Sequence, residues 1–96
     1  MKNLTIQELI KQKESTYKYF NEQDALKAVK QYGYALQFVK EQTEAICLAA
    51  VKEDRDALQF VKEQTEAICL AAVKEDRGAL QFVDKNLLKS VKSKLK

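Results

Sequence analysis

The side chains that most often do chemistry are scarce in this sequence. The 96 residues include no histidine, which removes the commonest general base and every Ser-His or Cys-His pairing. Its two cysteines, Cys47 and Cys69, each stand inside the apolar run ICLAAV. With no histidine to complete a site, two cysteines are too few for structural zinc. Carboxylates are plentiful, but Glu53-Asp54 and Glu75-Asp76 lie in polar stretches beside Lys and Arg. That is the pattern of solvated helix ends, whereas a catalytic pair needs a cleft to shift its pKa. Gly33 and Gly78 are 45 residues apart, so no glycine-rich phosphate loop exists. The expectation is a chain that is not an enzyme, with no cofactor, no metal and no evident small-molecule substrate.

The elements that hold these residues follow from a repeat. Ala35–Arg55 and Ala57–Arg77 are identical, at an offset of 22 residues. A third copy begins as ALQFV at Ala79–Val83, and a decayed predecessor matches at Leu26, Ala28, Val29 and Lys30. Each unit is nearly two half-units of 11, LQFVKE resembling LAAVKE. An 11-residue period admits a continuous helix in a right-handed coiled coil or short helices broken at each polar stretch. The broken reading is favoured. Ala45 to Val51 is apolar around nearly the whole helix circumference, so its helix is buried on several sides. Lys40–Glu44 and Lys52–Asp56 are unbroken polar pentads that would put charge on any seam. Thr43 and Thr65 read as N-caps with Glu44 and Glu66 in the first turn. Asp56, followed by Gln59, reads as a capping box for the second helix, and Gly33 and Gly78 fall at breaks between halves.

The spacing predicts longer helices at about Glu44–Glu53 and Glu66–Glu75, and shorter ones at about Ala35–Glu41, Ala57–Glu63 and Ala79–Val83. Helices of two turns do not survive alone, and stacked identical neighbours supply the missing contacts. The predicted fold is all-α: a short α-solenoid of stacked two-helix repeats with terminal capping helices. Its single domain, 1–96, divides into an N-terminal cap (1–20), repeats (21–83) and a basic C-terminal capping helix (84–96). Thr5-Ile-Gln-Glu8 is a capping box opening an amphipathic segment in the first of these. Phe38, Phe60 and Phe82 are expected to fill the core between helix layers. Both cysteines read as small buried apolar residues, reduced and unpaired, because helix axes roughly 8–10 Å apart exceed the Cα reach of a disulfide.

At KEQTEAICLAAVKEDRDALQFVKEQ the sequence resembles a bacterial repeat family known as domain of unknown function 4116. The resemblance runs V-K-x-Q-T, then I-C-L-A-A-V-K, then A-L-Q-(Y/F)-V, and covers about Asn21–Asn86. The chain departs from the family where Pro often follows the Thr, having Glu44 and Glu66 there. It also has Arg55 and Arg77 where Gly is commoner, with Gly33 the position that matches. The family carries no assigned activity, so the resemblance implies a fold, a bacterial origin and nothing about chemistry.

Binding is the class that remains. A solenoid presents residues at fixed spacing: Gln37, Gln59 and Gln81 form one ladder, and Lys40/Lys62, Glu44/Glu66 and Lys52/Lys74 form others. Tyr32 and Tyr34 break the repeat, replacing the Asp54 and Asp56 of the next unit. If exposed, they are the best anchors for a protein or peptide partner. The expectation is thus a protein–protein interaction scaffold. An alternative uses the tail, in which five Lys face one Asp over residues 84–96. Lys89, Lys92, Lys94 and Lys96 could hold nucleic acid or an acidic membrane surface. No apolar run is long enough to span a bilayer and the N-terminus lacks a signal-peptide core, so a cytoplasmic location is expected.

Overall fold

The computed structural model describes residues 17–95. These form α-helices α1 (Glu22–Gln31), α2 (Glu44–Glu53), α3 (Glu66–Glu75) and α4 (Lys85–Lys94), with 3₁₀ helices η1 (Gly33–Phe38), η2 (Arg55–Phe60) and η3 (Arg77–Phe82) between them. The described part of the chain is all-helical, and its one strand-like feature is an isolated parallel bridge between Tyr19 and Val39. Through η3 the elements recur 22 residues apart. The α-helices touch their neighbours in order, α1 to α2 to α3 to α4, and η1 touches η2, which touches η3.

Local chemistry accounts for where α1, α2 and α3 start. Thr43 Oγ1 accepts from the Ile46 N–H and Thr65 Oγ1 from the Ile68 N–H, both at 3.3 Å. Asn21 Oδ1 does the same for Asp24 at 2.8 Å. The predicted bounds of the two longer helices, Glu44–Glu53 and Glu66–Glu75, are those observed.

The shorter helices differ from expectation in kind and in placement. They are 3₁₀, not α, and begin two residues earlier. Six residues make few i→i−4 bonds, whereas i→i−3 bonding satisfies more of so short a segment. The caps of η2 and η3 are Asp54 and Asp76, not Asp56: Asp54 Oδ1 accepts from the Asp56 N–H at 3.0 Å, and Asp76 Oδ1 from the Gly78 N–H at 2.7 Å. Gln59 does not close a capping box, since its Nε2 donates to the Asp56 carbonyl. Only Asp54 separates α2 from η2, so the polar pentad Lys52–Asp56 is not a loop. Neither glycine has a positive φ. Gly33 serves a close approach instead, because a Cβ there would lie 2.6 Å from the Ala50 carbonyl oxygen.

The core is one cluster. Leu36, Leu58, Ile46, Ile68, Val51, Val73, Ala50 and Ala72 are buried in it, with Val29 from α1 and Val91 from α4. Phe38, Phe60 and Phe82 are only partly buried; the leucine two positions earlier, Leu36 or Leu58, takes the interior place. The N-terminal cap expected at 1–20, with its capping box at Thr5, lies almost entirely outside the described residues.

Candidate interaction surface

The sequence-predicted anchors lie along the 3₁₀ side of the molecule. Tyr32, the residue that ends α1, is 73% exposed, and Tyr34 in η1 is 43% exposed. Tyr34 is nonetheless held: its hydroxyl donates to Asp56 Oδ2 at 3.2 Å, and its ring meets Phe60 edge-on at 5.7 Å. Partial desolvation, then the carboxylates of Asp54 and Asp56, push its phenol above the ordinary value. Gln37, Gln59 and Gln81 are exposed. Each donates its Nε2 to the carbonyl three residues earlier, at 3.0–3.1 Å. Arg55 ties this side together by pairing with Asp56 at 3.5 Å and Asp76 at 3.2 Å.

A second set of glutamines works inside the fold and was not singled out from the sequence. Gln42 Nε2 donates to the carbonyls of Phe60 at 2.9 Å and Leu36 at 3.3 Å, while its Oε1 accepts from the Lys62 N–H at 2.9 Å. Gln64 makes the same set with Phe82, Leu58 and the Asp84 N–H. Each carboxamide also accepts from a thiol, Cys47 at 3.8 Å and Cys69 at 3.3 Å. The signal was the Gln-Thr pair before α2 and before α3. Both thiols are buried and free, and burial pushes each up to about 11. A thiol held protonated is a poor nucleophile. Among the described residues no group of His, Cys, Asp or Glu is arranged to hold a metal ion.

The outer side of the α-helices is covered less than expected. α2 and α3 are apolar all round, yet they bury only Ile46, Cys47, Ala50, Val51 and their counterparts. Ala45 and Ala67 are exposed, and Leu48, Ala49, Leu70 and Ala71 are half-buried. Between α1 and α2 this side opens into a groove of about 570 Å³ floored by Leu26, Ala45, Leu48 and Ala49. Lys30 and Lys52 stand at one end of it, with Glu53 on the rim. Lys30, Lys52 and Lys74 occupy the last turn of their helices, where a cation meets the negative end of the helix dipole.

The basic tail is tied down in part. Lys94 pairs with Glu66, and Ser90 Oγ donates to the same carboxylate at 2.9 Å; these bonds hold Glu66 below its usual range. Glu66 is in the first turn of α3 and Lys94 in the last turn of α4, so α4 does not continue the alignment of the preceding helices. Val91 is buried, while Lys89 and Lys92 are exposed. Lys96 lies outside the described residues. No helix among those residues is long and apolar enough to cross a membrane.

Residues 21–66 match the model of a family described as a domain of unknown function, DUF4116. No curated protein and no solved structure matches the chain.

Proposed function

Residues 21–66 match the DUF4116 family model, whose description names no activity, and from that match we propose that the chain is a non-enzymatic helical-repeat module that binds another protein. The observation that carries this reading is the half-covered state of α2 and α3. Monomeric proteins rarely leave contiguous apolar surface open unless something docks on it. Leu48, Ala49, Leu70 and Ala71 sit on helices that could have carried polar residues outward, as α1 does at Gln23 and Lys27. The exposed ring of Tyr32 offers a second anchor on the 3₁₀ side.

The architecture behind this reading is a short α-solenoid working in the cytoplasm. Three things support it: elements recur 22 residues apart, each touches its successor, and the radius of gyration is 15.0 Å. A compact domain of this length would have about 12.5 Å. The reduced, buried thiols suit a reducing compartment. The alternative, an anion-binding tail, is weakened by the Lys94–Glu66 pair. Lys89 and Lys92 are then the lysines it would rest on, with Lys96 beyond them.

The test is affinity capture by the full chain from an extract of its own host. A partner recovered in fixed stoichiometry, and lost with either Leu48→Gln/Leu70→Gln or Tyr32→Ala/Tyr34→Ala, supports the module. Failure to recover any partner, or recovery that every surface variant preserves, counts against it.

A further inference from the structure

We propose that the groove between α1 and α2 receives an amphipathic helix of a partner protein, seated antiparallel to both, with carboxylates in its first turn. This rests on the binding-module reading and names the chemistry of the partner. Four observations converge on it. The floor is apolar and mixes large with small: Leu26 and Leu48 stand up, Ala45 and Ala49 lie low. Such alternation accepts the ridge of a further helix. The groove has room for a few apolar side chains, at about 570 Å³. Its flanking helices have 10 residues each, about 15 Å, so three turns of a partner fill its length.

Charge then sets the direction. Lys30 and Lys52 stand together at the C-terminal end of the groove and make no ion pair among the described residues. The C-termini of α1 and α2 add negative dipole ends, which favour the positive N-terminus of an incoming helix. Helices accept Asp and Glu in their first turn for the same reason, and these would meet the two lysines. Glu53 lies at that same end and offsets part of this charge, but two lysines against one carboxylate leave the end net positive. A second copy of this chain is the poorer occupant. The groove carries Lys30 and Lys52 against Glu53, so two copies of it are alike in charge and repel, although the repeat body as a whole is acidic.

The experiment uses the full chain, isotopically labelled, and a synthetic peptide of about fourteen residues (four turns) with a leucine stripe and three glutamates in its first turn. Amide shifts confined to Leu26, Ala45, Leu48, Ala49 and their neighbours are expected. Lys30→Glu/Lys52→Glu, both exposed substitutions, should weaken binding ~10-fold and improve binding of the same peptide with lysines in place of glutamates. Leu48→Gln should abolish binding of both peptides. Equal affinity for the two peptides, or no shifts with either, overturns the proposal. So does self-association through Leu48 in sedimentation equilibrium, or binding to phosphatidylserine vesicles, lost in the lysine variant, without binding to the peptide. If the peptide fails while host capture still depends on Tyr32 and Tyr34, this groove is wrong and the module reading stands.

Discussion

The main-chain N–H of Lys62 donates to Gln42 Oε1 at 2.9 Å, across 20 residues of chain. The other end of that carboxamide donates to the Phe60 carbonyl at 2.9 Å. One repeat earlier the same two positions are served by a peptide group: the Tyr19 N–H donates to the Phe38 carbonyl, and the Tyr19 carbonyl accepts from the Lys40 N–H, both at 3.1 Å. A glutamine side chain thus stands in for a strand's backbone. It satisfies the extended residues that follow each 3₁₀ helix, which have no ladder of their own.

Removing it should be costly. Gln42→Ala leaves the Phe60 carbonyl and the Lys62 N–H without those partners, and about 2 kcal/mol of stability should be lost. Gln42→Glu should lose a comparable amount, since a carboxylate cannot donate to Phe60. Gln37→Ala, which removes only an exposed local bond, should change stability by under about 0.5 kcal/mol. Urea denaturation of the three variants checks the contrast.

The two glycines should respond in opposite ways. A Cβ at Gly33 meets the Ala50 carbonyl oxygen at 2.6 Å and Asp54 Cβ at 2.8 Å. Backbone cannot yield cheaply there, so Gly33→Ala should cost about 1–3 kcal/mol. Gly78 is exposed and stands where Asp56 already carries a Cβ one repeat earlier. Gly78→Ala should be neutral or stabilising by about 0.5 kcal/mol. Thermal melts distinguish the two.

The thiols give a pH dependence with a definite sign. Cys47 and Cys69 are raised to about 11 in the folded chain, against about 8.5 in a free thiol. Their contribution is fully present below the free-thiol value and is lost as pH climbs toward the folded one. Stability should therefore fall between about pH 8.5 and 11, and less steeply in Cys47→Ala/Cys69→Ala. Folded protein should resist a disulfide reagent at mildly alkaline pH, and denatured protein should react at both cysteines.

The Glu66–Lys94 pair acts at the other end of the scale. Glu66 is depressed by Lys94 and Ser90, so its contribution is present above the ordinary carboxylate pKa and is lost as pH falls through the folded value. Protection factors of the α4 amides, corrected for the fall of the intrinsic exchange rate, should drop on acidification. Glu66→Gln should lower them already at neutral pH while leaving those of α2 unchanged.

Capping is the most local of these effects. Thr43→Ala and Thr65→Ala should each cost about 1 kcal/mol, and Asp54→Ala should loosen η2 although Asp56→Ala leaves its cap intact. Chemical denaturation of the four variants separates the true caps from the one the Asp-x-x-Gln spacing suggests.

From the residues alone came the period of 22, the limits of α2 and α3, and the burial of both thiols. These rest on interactions that span one turn: a threonine reaching the N–H three residues on, or an apolar run too long to expose. What needed the tertiary structure were the bridging role of Gln42 and Gln64, the return of Lys94 to Glu66, and the uncovered side of α2 and α3. In each case the deciding partner lies 18 or more residues away, or on a neighbouring helix. A helix apolar on every side carries no mark of which side its neighbours leave open. That depends on how the next repeat approaches, and the packing of the chain decides it.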